Sequence, residues 1–384
     1  MPMTFDLAVV PPFKPMLAQA TKGFPIDGGD LWFEPKWDGF RCIVFRDGDS
    51  VELGSRSQKS LVRYFPELVD PIRAQLPNKV VLDGEIVLPV NSMLDFDALG
   101  QRIHPAQSRI DRLSRELPAR FVAFDLLAFD DNDVRDLPFE HRRMLLERLL
   151  AEVQAPLHLT PATKDVDLAK DWFHRFEGAG FDGVIAKPAG NPYVSDKRTL
   201  MKIKHQRTAD VVVAGYRVHK DGLGVGSMLA GLYSDDGSLH HIGVVTGFTQ
   251  KLRAELVEVL APFRCELTGE GEFDHPWAQW GNATAHESGD QRLPGAVNRW
   301  NSSKDQSWVP IRPELVAEVT FENLSGRRLR HPARLVRWRP DKEIQDCRYD
   351  QLDQVAPPEF EEIFGSGDSV GGNVTEKPVA PSGY

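Results

Sequence analysis

The chain has 384 residues, of which 27% are charged and 41% hydrophobic. That length excludes a single small module, and that composition gives neither a disordered nor a membrane-embedded chain any advantage. The net charge of −10 argues against a simple polyanion binder, but the charge is segregated: residues 327–342 hold seven basic side chains against one acidic, and residues 343–364 seven acidic against Arg348. Cys42, Cys265 and Cys347 are odd in number and too widely spaced for a metal clip, so buried free thiols are expected. No apolar stretch has the length of a membrane span, and the first residues lack the order of a secretory signal. A cytoplasmic chain that avoids membranes is expected.

In chain order, residues 31–33, 40–45 and 51–53 read as strands, the last two joined by a hairpin at Asp47-Gly48-Asp49. Residues 60–76 carry apolar side chains near helical spacing, after which 79–88 and 121–129 return to strand-like runs. Residues 141–153 and 167–177 read as helices before a short strand at 183–187. Mixed elements without strict βαβ repetition predict an α+β domain over residues 1–205. From there the pattern changes to short apolar runs at 211–218, 228–233, 239–245, 316–321 and 335–338, with one helix at 251–260. Five strands and a helix predict a small OB-fold barrel over residues 206–362, although an SH3-like barrel fits the pattern almost as well. Gly222-x-Gly224-x-Gly226 lies between strands and lacks the Lys-Ser/Thr of a phosphate loop, so it reads as a hairpin. Residues 363–384 have no periodicity and are predicted to be a disordered tail.

The strongest chemical signal is Glu34-Pro35-Lys36-Trp37-Asp38-Gly39, which puts a lysine between two predicted strands. Taken alone, Lys-x-Asp-Gly is most simply a turn with a solvated lysine. Here it is followed in order by Ser55-Arg56, Leu82-Asp83-Gly84-Glu85, Phe121-Val122-Ala123-Phe124-Asp125, Asp182-Gly183-Val184-Ile185-Ala186-Lys187, Lys202-Ile203-Lys204 and Arg339-Pro340-Asp341-Lys342. An amine that attacks phosphorus must be neutral, and neighbouring cations favour that form while neutralising phosphate charge. Lys187, Lys202 and Lys204 are candidates for that work. A magnesium ion bridging phosphate oxygens needs carboxylate ligands, for which Glu85 and Asp182 are candidates.

This ordered set resembles the ATP-dependent DNA ligases, within the covalent nucleotidyltransferase superfamily that also holds RNA ligases and capping enzymes. The likeness covers nearly the whole chain and runs toward the bacterial DNA ligase C group and the ligase domain of DNA ligase D. It implies a nucleotidyltransferase (adenylation) domain with antiparallel sheets followed by an OB-fold domain, using ATP and Mg²⁺, with Mn²⁺ as a substitute. It further implies that Lys36 becomes a lysyl-AMP, that Glu34 takes the exocyclic amine of adenine and that Phe124 stacks on the base. By the same likeness Arg41 and Arg56 meet ribose or phosphate, while Arg339, Asp341 and Lys342 act at the pyrophosphate. Glu85 lies close to the ribose hydroxyls in the family, so ribose and metal are both open for it. The family usually has Glu where this chain has Asp182, one methylene shorter, which puts metal geometry and metal choice in question. The expected partner is nicked double-stranded DNA, gripped through phosphates without sequence preference. A monomer acting at the bacterial nucleoid in DNA repair is expected, with a repair polymerase or nuclease supplied separately. The rivals are a ligase preferring RNA or 3′-ribonucleotide nicks, and a nick-binding module without catalysis.

Overall fold

A computed structural model describes residues 4–21, 23–25, 29–266, 275–278, 307–352 and 360–364. They form two compact units: the first runs to Ile203 and includes the later segment Phe360–Phe364, and the second begins at Lys204.

The first unit is built on two sheets. The larger runs in the order Leu157–Leu159, Arg120–Phe129, Lys79–Val87, Phe40–Asp47, Ser50–Ser55, with Asn132–Asp133 added beside Arg120–Phe129. Its pairs are antiparallel except for Leu157–Leu159, which runs parallel to its neighbour. Lys79–Val87 and Arg120–Phe129 are buried on both faces because both faces are covered. Val44, Leu82 and Leu126 meet Phe65, Leu68, Ile72 and Leu146 on one side. Ile43, Phe45, Val81 and Leu127 meet Met16 and Tyr193 on the other. The smaller sheet runs Leu17–Ala20, Arg198–Lys204, Gly183–Pro188, Leu31–Pro35, and buries Leu31, Phe33, Val184 and Ala186 with Ala169 of the helix Val166–Arg175. The bend from Pro35 to Phe40 carries the chain from the smaller sheet into the larger. Gly39 is required there, since a Cβ on it would stand 2.1 Å from the Ile86 carbonyl oxygen.

The single helix expected over residues 60–76 is three pieces. Two 3₁₀ turns, Val62–Tyr64 and Pro66–Leu68, precede the helix Val69–Gln75. Pro66 at the start of the second turn explains the break, because proline has no amide to continue a helical ladder from the preceding turn.

The second unit is a five-stranded antiparallel sheet ordered Leu239–Val245, Val225–Tyr233, Arg207–Val218, Val309–Phe321, Arg334–Trp338. Its two ends meet, for the Ala333 amide donates to the Val244 carbonyl at 2.9 Å and the Thr246 amide to the Ala333 carbonyl at 2.9 Å. The helix Gln250–Leu260 lies between the third and fourth long strands and buries Leu256 and Leu260 in the barrel core. This closure and helix position favour the OB arrangement over the SH3-like one. Gly222 and Gly224 lie between two paired strands, at φ +77° and +74°, and Gly226 falls inside the second of them.

Two expectations about the chain's end need correction. Phe360 packs with the first unit instead of extending the barrel domain to residue 362, and the tail expected from 363 begins too early, because Ile363 and Phe364 are buried there as well. Apolar burial against aromatic side chains of the first unit is the physical reason. Residues 365–384 lie outside the described residues. Cys42 and Cys347 are buried, Cys265 is half-buried, and all three are free. Among the described residues no helix is long and apolar enough to cross a membrane.

Candidate active site

Lys36 follows the strand Leu31–Pro35 and extends its pairing by one step. Its amide donates to the Gly183 carbonyl at 2.8 Å, and the Asp182 amide donates to the Lys36 carbonyl at 3.0 Å. That register sets the two residues opposite each other, and the Lys36 ammonium pairs with the Asp182 carboxylate. The lysine side chain keeps 19% of its exposure while the aspartate keeps 7%, so the pair sits at a partly open surface. Trp37, the next residue, is buried and donates from Nε1 to Thr160 Oγ1 at 2.8 Å.

Glu34, two residues before Lys36 and in the same strand, is buried. One carboxylate oxygen is 2.8 Å from Lys187 Nζ; the other, Oε1, lies 3.8 Å from an Arg143 nitrogen and accepts no hydrogen bond among the described residues. Burial pushes the Glu34 carboxyl up, against the pull of Lys187 and Arg143. Lys187 is 2% exposed and also donates to the Phe124 carbonyl at 2.8 Å. The ammonium expected to offer its charge to phosphate thus links Glu34 to the strand Arg120–Phe129.

Phe124 is buried, with the Arg41 guanidinium carbon 4.5 Å and Lys187 Nζ 5.0 Å from its ring centroid. Arg41 grips Asp83 through Nε and Nη2, each at 2.6 Å, and reaches the Met16 carbonyl at 3.2 Å. The Tyr193 hydroxyl donates to the same Asp83 at 2.5 Å and accepts from the Met16 amide at 2.8 Å. Burial alone would lower the arginine's proton affinity, but the Asp83 carboxylate outweighs it and the net shift is upward. Arg41 is thus held in place beside Phe124 by Asp83 and the Met16 carbonyl. Glu85 follows Asp83 by two residues, so it shares that face of the strand, and it sits opposite Arg41 in the register. Burial pushes its carboxyl up to about 7, opposed by Arg41 and Lys36. Gly84 between them has no room for a side chain, since a Cβ would lie 2.4 Å from the Phe121 ring.

The remaining candidates lie on other strands and turns. Arg56 is exposed in the turn after Ser50–Ser55, and Lys202 is half-buried on Arg198–Lys204. Lys204, in the second unit, has its Nζ 2.6 Å from Glu322. Arg339 follows the last barrel strand and bonds Asp210 at 3.1 Å and Asp341 at 2.9 Å, with Glu318 at 3.7 Å. The hydrogen bond with Asp341 raises the arginine and holds Asp341 down at about 2. The Lys342 amide donates to the Arg339 carbonyl at 3.2 Å. Sequence reasoning missed Asp83, Tyr193 and Arg143; the alternation Asp83-x-Glu85 was the available signal for the first.

Around Lys36, then, stand a carboxylate in contact, a second carboxylate of raised proton affinity, and a buried glutamate with an unfilled acceptor. Glu85 and Asp182 offer the hard oxygens suited to a magnesium ion that retains much of its water. Among the described residues there is no group of three or more His, Cys, Asp or Glu side chains that could hold a metal. The unfilled Glu34 oxygen suits an amino group such as that of adenine.

Residues 15–204 match the ATP dependent DNA ligase domain, and residues 221–342 match the ATP dependent DNA ligase C terminal region. The chain is 50% identical over 355 residues to DNA ligase C2 of Mycolicibacterium smegmatis, which covers 92% of this chain and 97% of that protein. It is 50% identical over 356 residues to DNA ligase C of Mycobacterium tuberculosis, covering 91% and 96%. The Mycobacterium tuberculosis multifunctional non-homologous end joining DNA repair protein LigD is 33% identical over 338 residues, 85% of this chain but 38% of that protein. A solved structure of a Lig E DNA ligase shares the fold, with a TM-score of 0.50 at 18% identity over 84% of this chain and 99% of that one. Two successive domain matches in the right order, and half-identity carried across both of them, lead to one conclusion: the chain belongs to the ATP-dependent DNA ligases.

Proposed function

We propose that this ligase seals nicks in duplex DNA by passing one adenylate from ATP through Lys36. The neutral Lys36 amine attacks the α-phosphorus, the bond to the β-phosphate oxygen breaks, and pyrophosphate leaves. Asp182, in contact with the ammonium, is the acceptor for the proton lysine gives up. The 5′-phosphate of the nick then displaces lysine from phosphorus, and the 3′-hydroxyl displaces AMP to close the strand. Glu34 takes the adenine amine on its unfilled oxygen, while Phe124, with Arg41 against it, forms the wall beside the base. Glu85 and Asp182 are the residues that would hold Mg²⁺, which neutralises phosphate charge when bound. Lys187 and Lys202 are the first unit's cations for the phosphates. Arg339 and Lys342 of the second unit serve the pyrophosphate, which requires Arg339 to exchange Asp210 and Asp341 for phosphate oxygens. Nicked DNA of any sequence is the substrate, and repair in the bacterial cytoplasm is the setting, as the likeness to LigD suggests.

The Lys36–Asp182 pair at the junction of two sheets is the observation that supports this most. The test is to incubate the chain with α-labelled ATP and Mg²⁺, after pyrophosphate treatment to clear any bound adenylate, and to quench in denaturant. Label should stay on the protein, leave as AMP on addition of nicked DNA, and be absent from Lys36→Ala. A wild-type chain that takes no label overturns the reading.

A further inference from the structure

We infer that Phe364, in the segment Phe360–Phe364, is a positioning residue for Lys36, acting through Trp37. The inference rests on the reading of Lys36 as the adenylate carrier.

Trp37 is covalently next to Lys36, and Phe181 is covalently next to Asp182. The two aromatic rings lie 4.8 Å apart between centroids, so a ring contact stands directly beside the Lys36–Asp182 pair. Phe364 covers Trp37 from another side, with 5.2 Å between centroids. Phe364 is itself held by His158 at 5.0 Å, by the Arg120 guanidinium 4.7 Å from its centroid, and by Phe360 at 5.5 Å. Phe360 reaches Phe181 at 6.4 Å, which closes a box of four aromatic rings with the tryptophan as one of them. Phe360, Ile363 and Phe364 are all buried in the same cluster as Trp37, Phe176 and Phe181. Trp37 has one polar tie, the hydrogen bond from Nε1 to Thr160, and apolar contact supplies the rest of its support. Removing the Phe364 ring takes away one wall of the box and frees Trp37 to turn about that tie. Because Lys36 is the adjoining residue, the loss falls on the direction of its amine and not on nucleotide binding. The segment follows the whole second unit in the chain, so readiness of the nucleophile in the first unit depends on residues that lie beyond the second.

The experiment compares full-length wild type, Phe364→Ala, Phe364→Tyr and Leu146→Ala by time-resolved labelling with α-labelled ATP. Leu146 is buried in a separate cluster of the same unit and controls for general loss of stability. Phe364→Ala should reach the wild-type final stoichiometry but with a labelling rate at saturating ATP lower by about tenfold, and with its KM for ATP within about twofold of wild type. Phe364→Tyr should restore the rate, and Leu146→Ala should label at the wild-type rate per folded molecule. A wild-type rate in Phe364→Ala overturns the inference, as does a fall in stoichiometry alone or an equal loss in Leu146→Ala. A wild-type chain that takes no label overturns the adenylation reading and this inference with it, so the two failures are distinct.

Discussion

At the scale of single residues, the site is governed by how each carboxylate is buried. Glu85 shows this most directly, because its ordinary value of 4.5 is pushed up to about 7, first by burial, with Arg41 and Lys36 acting in the opposite direction. A folded-state value above the unfolded one means that the native chain holds the proton more tightly. Glu85 therefore contributes fully to stability below about pH 4.5, and that contribution is lost as pH rises through about 7. Urea unfolding of wild type and Glu85→Gln, both in chelator, isolates the effect. The stability difference between them should move against the wild type by about 3 kcal/mol from pH 4.5 to 8; a difference flat with pH would show that Glu85 ionises as freely when folded as when unfolded. The sequence made the lysine and both candidate metal ligands readable, because a nucleophile between strands and carboxylates in alternating runs are local patterns. It did not reveal that Lys187 serves Glu34, or that Arg41 is tied to Asp83 and Tyr193. Those partners lie on different strands and loops, and strand pairing between distant segments leaves no trace in spacing.

At the scale of elements, the helix Phe139–Leu149 does more than cover the larger sheet. Arg142 and Arg143 lie on its buried side. Arg142 meets Asp125 at 2.8 Å, with both side chains almost wholly buried, and it also donates to the Leu137 and Asn191 carbonyls. Asp125 directly follows Phe124, so this pair anchors the strand that carries Phe124. Replacing Arg142 by Met leaves a buried carboxylate without its cation, and should cost about 3–5 kcal/mol in urea unfolding. The double variant Arg142→Met with Asp125→Leu should recover much of that loss. If the single variant unfolds like wild type, the pair is not what holds the strand. Long apolar elements were legible from the chain: the runs at 79–88, 121–129 and 239–245 became Lys79–Val87, Arg120–Phe129 and Leu239–Val245. The helices Phe96–Gln101 and Gln107–Glu116 were not, and the reason is physical. The first is six residues long and the second buries only Ile110 and Leu113 among arginines and polar side chains, too few apolar positions to establish a period. Leu17–Ala20 is likewise a four-residue strand paired in parallel with a partner far along the chain.

At the scale of the whole molecule, the net charge of −10 must coexist with binding to a polyanion, and the barrel's last strand shows one way this is arranged. Arg334 and Arg337 on Arg334–Trp338 are exposed, but they are not equivalent. Arg337 already has Glu318 at 2.7 Å, so a phosphate that approaches it displaces a protein carboxylate. Arg334 is exposed on the same strand with no carboxylate within ion-pair distance among the described residues. A phosphate that met Arg334 would release counterions from DNA, and each such contact contributes about 0.9 to the slope of log affinity against log salt. Arg334→Gln should therefore lower that slope by about one and weaken binding equally on nicks of every sequence, whereas Arg337→Gln should lower it by clearly less than one. The measurement is fluorescence anisotropy of labelled nicked duplexes of two unrelated sequences, titrated across salt in a Lys36→Ala background so that no sealing intervenes. Equal slopes for wild type and Arg334→Gln would place the DNA on another face of the barrel. A loss confined to one of the two sequences would mean that this strand reads bases, which a ligase indifferent to sequence cannot do.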